Sequence, residues 1–317
     1  MKTYEMSDEE KKFLAGYDLT KYDRPSVAAD VVVFSVMKDD ECDDVRRIQE
    51  KKLKILLIRR GGFPYKGSWA MPGGFCRKGE DVIDSARREL CEETGIDDAY
   101  VKLVGVYGEP GRDPRGWVIS STYMALMNGR DCRLKAGDDA QDARWFTVEL
   151  TDVSTEVTEA AEVSGIGVEI VKNEVEASHE VQNVKRYRLV LKDADSDIKL
   201  TAVLRRTDMS SCGRSSDSYD IEECEGLAFD HARIITEAVL GLREDVRRDM
   251  ELAFDLLPER FTLTELQNVY EQIWDMELTT PNFRRKIAEY VEETDAYQSG
   301  ERYRPAKLFT QRKDARK

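Results

Sequence analysis

The stretch GGFCRKGEDVIDSARRELCEETGI, residues 73–96, places three glutamates within five residues, shortly after a glycine pair. Apolar residues recur at helical spacing through this stretch, and Gly95 supplies a stop signal, so the pattern predicts a helix over 80–94. At about 100° per residue, Glu89, Glu92 and Glu93 fall within roughly 100° of arc. Their carboxylates therefore project from one side of the helix.

Three carboxylates on one side of a helix repel one another. Two such charges about 5 Å apart cost roughly 3 kcal/mol at an effective dielectric near 20. A solvated helix face is the ordinary explanation of a glutamate-rich helix, and a bound cation is the alternative. Mg²⁺ bridges a few carboxylates to substrate phosphates, so the alternative indicates phosphoryl or pyrophosphoryl chemistry.

The stretch matches the Nudix box position for position. Gly74 is followed after five residues by Glu80, and after seven more by Arg88-Glu89-Leu90-x-Glu92-Glu93-x-Gly95-Ile96. The first domain therefore resembles the Nudix family. The resemblance implies an α+β chain with a Nudix α/β/α sandwich around a mixed sheet, and Mg²⁺ or Mn²⁺ as cofactor. It implies Glu89, Glu92, Glu93 and Gly74 as metal-binding residues, supported by a salt bridge between Glu80 and Arg88.

The loops GEPGRDPRG and AGDDAQDARWF narrow this resemblance. They are similar to the branch that contains ADP-ribose pyrophosphatase-like enzymes and Nudix-related transcriptional regulators of NAD metabolism. Arg112 and Arg115 are candidate substrate-binding residues because arginine binds phosphate bidentately. They could equally pair with Asp113 in a simple turn. His231, alone on an apolar helix, is interpreted as a hydrogen-bonded core or interface residue.

Hydrophobic periodicity and composition predict four segments in the 317-residue chain. The Nudix domain occupies 1–150, a β-rich insertion 151–224, a closing Nudix helix 225–242, and a winged helix-turn-helix domain 243–317. The insertion could enlarge the sheet, cover the substrate cleft or form a dimer contact. No long apolar run predicts a membrane span, and the six cysteines form no CxxC pair, so a reducing cytoplasm is expected.

The C-terminal segment predicts a helix-turn-helix. FTLTELQNVYEQIW begins with a capping box from Thr262 to Glu265, and PNFRRKIAEYV begins with Pro281, which suits the first helical position. Residues 281–317 carry a net charge of +4, although the whole chain carries −14. This local basic surface suits nucleic acid. The candidate DNA-binding residues are Asn282, Arg284, Arg285, Lys286, Arg302 and Arg304.

FTLTELQ, NFRRKI and RPAKLF resemble the winged helix of the same Nudix-related regulators. The resemblance implies a homodimeric regulator that binds ADP-ribose or a related nucleotide sugar and a double-stranded DNA operator. The box is intact, so Mg²⁺-dependent pyrophosphohydrolase activity is expected as well. The alternative is a dedicated ADP-ribose pyrophosphatase-like hydrolase whose winged helix serves protein contacts or dimerisation.

Overall fold

The computed structural model describes residues 6–38, 51–96, 99–129, 140–160, 180–211, 214–298 and 305–312. The helices are α1 (Asp8–Ala15), α2 (Val82–Thr94), α3 (His231–Arg248), α4 (Leu263–Trp274) and α5 (Thr280–Ile287), with 3₁₀ helices at Leu19–Lys21 and Met250–Leu256. The strands are β1 (Ser26–Lys38), β2 (Lys51–Arg60), β3 (Trp69–Ala70), β4 (Gly73–Phe75), β5 (Tyr100–Tyr107), β6 (Val118–Leu126), β7 (Ala140–Ala160), β8 (Glu180–Asp193), β9 (Lys199–Ser211), β10 (Arg214–Glu225), β11 (Val291–Gln298) and β12 (Ala306–Gln311). None of the helices in these ranges is long and apolar enough to span a bilayer.

One mixed sheet dominates the molecule. Its strand order is β10-β9-β8-β7-β2-β1-β6-β5, with β3 paired to β2 and β4 paired to β1. β1 runs parallel to β6 and antiparallel to β2. Successive side chains of a strand face opposite sides of its sheet. Val31 and Val33 accordingly pack toward α2, while Val32 and Phe34 belong to the core on the α3 side. The predicted α+β fold with helices on both faces of a mixed sheet is confirmed.

The described residues between 151 and 224 enlarge this sheet. β7 runs through residue 150 without a break, and β8, β9 and β10 follow as an antiparallel meander. The first of the three roles left open for the insertion is therefore the one observed. The boundaries at 150 and 224 remain predictions, because the meander and the strands before it share one sheet.

The C-terminal helices and strands form the predicted winged helix. The capping box at Thr262 and Glu265 is present, and Pro281 occupies the second rather than the first position of α5. β11 and β12 pair antiparallel as the wing, and Phe261 bridges to Phe309.

The winged helix shares its core with the large sheet. Apolar side chains of α4 and α5 join the same buried cluster as those of β2 and α3. Arg243 of α3 donates from Nε to the Ile273 carbonyl at 3.0 Å, and Trp274 donates from Nε1 to the Arg243 carbonyl at 3.2 Å. α3 therefore connects the sheet with the helix-turn-helix through packing and hydrogen bonds.

A second contact joins β2 directly to α4. Lys51 Nζ lies 3.1 Å from Glu265 Oε1, and their side chains are only 10% and 16% exposed. The other carboxylate oxygen of Glu265 accepts the Thr262 amide at 3.0 Å. Glu265 thus caps α4 and holds it against the sheet.

Glu265→Gln tests this contact, because glutamine can keep the capping box but carries no charge. We expect the free energy of unfolding to fall by about 2 kcal/mol, since Lys51 loses a partly buried counter-charge. Adding Lys51→Met should recover at least half of that loss. Urea unfolding followed by circular dichroism measures both variants, and wild-type stability in Glu265→Gln would contradict the assigned role.

Candidate functional site

The glycine pair of β4 allows close approach of carboxylates. Gly73 pairs with Asp30 and Gly74 with Ala29 across β1. A Cβ atom at residue 73 would lie 2.4 Å from Asp30 Oδ1, and one at residue 74 would lie 2.6 Å from the Glu89 carboxylate. Only glycine leaves room for both carboxylates at this turn.

Glu93 is the most perturbed acid of this group. Its Oε2 accepts a hydrogen bond from the Gly73 amide at 2.8 Å. Burial raises its pKa to about 8, and the nearby charges of Glu89 and Asp30 act in the same direction. A carboxylate in this environment is stabilised by a nearby cation.

Glu92 lies apart from the other two glutamates. Its carboxylate accepts from Arg88 Nη1 at 3.1 Å and from Arg77 Nη2 at 3.2 Å, and its side chain is 47% exposed. Glu89 accepts from the same Arg88 Nη1 at 2.5 Å. The three glutamates therefore share one side of α2, as predicted, but Glu92 lies at the rim of the site.

Glu80 and Arg88 form the salt bridge that the resemblance implied. Arg88 donates from Nε and Nη2 to the two Glu80 oxygens at 2.8 and 3.0 Å. This pairing lowers the pKa of Glu80 to about 2, with the Ser85 hydroxyl as the second contribution. The bridge fixes the turn after β4 against α2.

The oxygen donors of this turn suit a hard divalent cation. Among the described residues, no group of three His, Cys, Asp or Glu side chains is already placed to hold a metal ion. Glu89 and Glu93 both contact the glycine turn, and Mg²⁺ commonly uses one or two carboxylates together with substrate phosphates. The residues therefore fit Mg²⁺ or Mn²⁺, with Glu92 able to join only by leaving its arginine partners.

A cavity adjoins the glycine turn. Its lining is mainly charged and aromatic: Ala28, Asp30, Arg60, Met71, Gly73, Gly74, Phe75, Arg112, Asp113, Arg115, Val118, Phe229 and His231. β1, β2 and the start of α3 contribute to it, so Asp30, the partner of Gly73 across β1, faces the same space as several arginines.

The three arginines of this cavity have different partners. Arg112 donates to both oxygens of Asp230 at 2.8 and 2.9 Å, and Arg115 is held by Asp113. Arg60 donates from Nε to the Pro64 carbonyl at 2.9 Å and has no ion pair within the described part of the chain. Burial and the charge of Arg115 lower the pKa of Arg60.

The two arginines predicted to bind substrate, Arg112 and Arg115, thus differ in their partners and in their exposure. Arg112 is held in a bidentate ion pair with the residue that precedes α3, whereas Arg115 is 41% exposed and lies over the Phe75 ring at 4.7 Å. Sequence reasoning missed Asp30, Arg60 and Phe229. The first of these had a visible signal, an acidic residue directly before the apolar run VVVF.

The winged helix presents the predicted polar residues on the surface of α5. Asn282, Arg284, Arg285 and Lys286 are all exposed, while Phe283 and Ile287 are buried beneath them. Arg285 donates to Asn282 Oδ1 at 3.3 Å. Arg302 and Arg304 lie outside the described residues.

Comparison with known proteins finds relatives of both the sheet-forming domain and the winged helix. The sequence matches the family model of the NUDIX domain over residues 44–164 and that of the NrtR DNA-binding winged helix domain over residues 253–310. An ADP-ribose pyrophosphatase of Methanocaldococcus jannaschii is 42% identical over 139 residues, which are 43% of this chain and 72% of the relative. The ADPR responsive transcriptional repressor NtrR of Acinetobacter baylyi is 29% identical over 304 residues, which are 95% of this chain and 87% of the relative.

Two crystal structures share the fold over nearly the whole chain. A MutT/nudix family protein from Enterococcus faecalis aligns with a TM-score of 0.58 and 25% identity, covering 98% of this chain and 100% of that chain. NrtR of Shewanella oneidensis, complexed with a 27mer DNA, aligns with a TM-score of 0.53 and 23% identity, covering 90% and 93%. At 23% identity, the similarity to the Shewanella oneidensis protein shows a shared fold only.

The raised pKa of Glu93 predicts a pH dependence of stability in EDTA. Between the ordinary carboxyl value of 4.5 and about 8, the folded state holds a proton that the unfolded state has released. The free energy of unfolding should therefore fall as pH rises through this window, by up to about 1.4 kcal/mol per pH unit. Glu93→Gln should flatten this slope, and Mg²⁺ at pH 8 should raise the wild-type melting temperature. Equal slopes in both proteins would contradict the assignment.

Proposed function

Since this chain belongs to the Nudix family and carries a winged helix domain of the NrtR type, we propose that it is a metabolite-responsive transcriptional regulator. It binds ADP-ribose or a related nucleotide sugar in the cavity beside the glycine turn. It binds a double-stranded DNA operator through α5, as a homodimer. The observation that carries this proposal is that the glycine turn, which Glu89 and Glu93 contact, lines one cavity together with two arginines, Arg60 and Arg115.

The ligand-binding residues are assigned by the N–H groups that their protein partners leave available to a ligand. Arg60, which lacks an ion pair within the described residues, and Arg115, which is partly exposed, bind the diphosphate. Arg112 keeps Asp230 and orients the start of α3 instead of binding phosphate. The exposed ring of Phe75 lies against the Arg115 guanidinium and suits the nucleoside end of the ligand.

The intact box also supports slow pyrophosphohydrolase activity. Glu89 and Glu93, with Glu92 after it leaves its arginines, hold Mg²⁺ or Mn²⁺, and the Gly74 backbone completes the turn. Such an ion polarises a phosphate oxygen and lowers the pKa of a bound water. Arg60 and Arg115 hold the diphosphate against the turn, and the salt bridge from Glu80 to Arg88 fixes α2. In hydrolysis, a water oxygen would form a new bond to phosphorus while one P–O bond of the phosphoanhydride breaks. The leaving phosphate would keep the bonding electron pair, and the proton of the water would pass to a Glu93 oxygen.

A dedicated hydrolase is the second candidate. In that case the winged helix mediates protein contacts or dimerisation, and its basic residues do not bind DNA. The exposed, positively charged face of α5 favours the regulator. The two functions are compatible in one molecule, because hydrolysis would end the ligand signal.

Hydrolysis is tested with purified protein, Mg²⁺ and ADP-ribose beside NADH, diadenosine polyphosphates and other nucleotide sugars. Glu93→Gln should lower turnover by about 100-fold or more, because it removes a carboxylate from the reacting centre. Cys91→Ala, an exposed residue of the same helix, is the matched control and should retain wild-type turnover. Equal turnover in Glu93→Gln would refute the catalytic assignment.

DNA binding is tested on a duplex selected from a random library by the full chain. Arg284→Ala with Arg285→Ala should weaken binding and flatten its dependence on salt, by roughly 0.9 in log–log slope for each lost phosphate contact. Lys11→Ala with Lys12→Ala removes the same charge from exposed α1 and serves as the control. If both double variants bind DNA like the wild type, α5 is not the recognition helix.

A further inference from the structure

His231 is buried, yet its side chain lines the ligand cavity. It is the first residue of α3 and is only 4% exposed. The Met71 amide donates a hydrogen bond to its Nδ1 at 3.1 Å. A nitrogen that accepts an amide hydrogen carries no proton, so the ring is neutral and its proton is on Nε2. Burial lowers the pKa of His231, which keeps the ring neutral.

The Nε2–H group has no assigned acceptor. Within the described residues, the His231 side chain makes no other hydrogen bond, and Nε2 is not among the fully enclosed polar atoms that lack a partner. The donor therefore has access to the cavity that its ring lines. A role in core packing explains the Nδ1 contact but leaves this second group unexplained.

The surroundings of His231 indicate the kind of acceptor. Its ring lies 5.4 Å from the Phe229 ring, between centroids. The guanidinium carbons of Arg60 and Arg115 lie 4.9 and 5.5 Å from the centroid of that same ring. Three donors thus surround one aromatic side chain in the cavity. Such an arrangement suits an anionic group with several oxygens.

We infer that His231 is a ligand-binding residue whose Nε2–H donates to a phosphate oxygen of the bound nucleotide sugar. The inference rests on the proposed function and deepens it, because it places a ligand contact on α3. The other end of α3 holds α4 through Arg243 and Trp274. Ligand binding then acts directly on the helix that supports the DNA-binding element. The sequence pattern around an isolated histidine does not indicate such a role for His231.

Two substitutions test the roles of the two His231 ring nitrogens separately. His231→Asn keeps an acceptor near Nδ1 for the Met71 amide but is too short to reach the ligand. His231→Gln extends an amide N–H to the place of Nε2. Isothermal titration calorimetry with ADP-ribose and the full chain should show at least about tenfold weaker binding for His231→Asn, the loss expected for one hydrogen bond to a charged group. His231→Gln should bind within about threefold of the wild type.

The outcomes distinguish this inference from the proposed function. Circular dichroism and DNA affinity without ligand should match the wild type in both variants, which shows that they fold. If the wild type binds ADP-ribose and His231→Asn binds it equally well, the role of His231 is wrong while the proposed function stands. If His231→Gln loses as much affinity as His231→Asn, the donor assignment is also wrong. If the folded wild type binds no ADP-ribose, the proposed function itself fails.

Discussion

The crowding of carboxylates around two glycines is the constraint on which the site depends. Asp30 and Glu89 approach Gly73 and Gly74 more closely than any Cβ atom would allow, and Glu93 is bound to the Gly73 amide. Burial makes these like charges costly, and the raised pKa of Glu93 reflects that cost. A divalent cation would relieve the repulsion and attract phosphates, so this arrangement suits a ligand that carries a diphosphate.

The cavity and the DNA-binding helices are parts of one packed body. α3 begins at the cavity, where Arg112 holds Asp230, and its second half contacts α4. Lys51 and Glu265 add a direct link from the sheet to α4. Close-packed protein interiors transmit strain, and α3, α4 and α5 share one buried cluster, so a change at the start of α3 has a physical route to α5. A winged helix joined to the sheet only by a flexible linker would have no such route.

The local features of this chain could be predicted from its sequence, because they depend on neighbouring residues. The helix over 80–94 was placed to within two residues, and the capping box at Thr262 was placed correctly. The long-range features could not. Arg112 and Asp230 are separated by 118 residues, so nothing near Arg112 indicated its partner. His231 was interpreted as a core residue, and only the fold reveals that one of its nitrogens faces the cavity.

The most direct test of the account is reciprocal linkage between ligand and DNA. Isothermal titration calorimetry would measure the dissociation constant of ADP-ribose for the full chain, free and saturated with a selected operator duplex. If α3 couples the two sites, the two constants differ, and ADP-ribose changes the DNA dissociation constant by the same factor. Identical ADP-ribose affinities with and without DNA would show that the cavity and the winged helix are uncoupled, which would contradict coupling through α3.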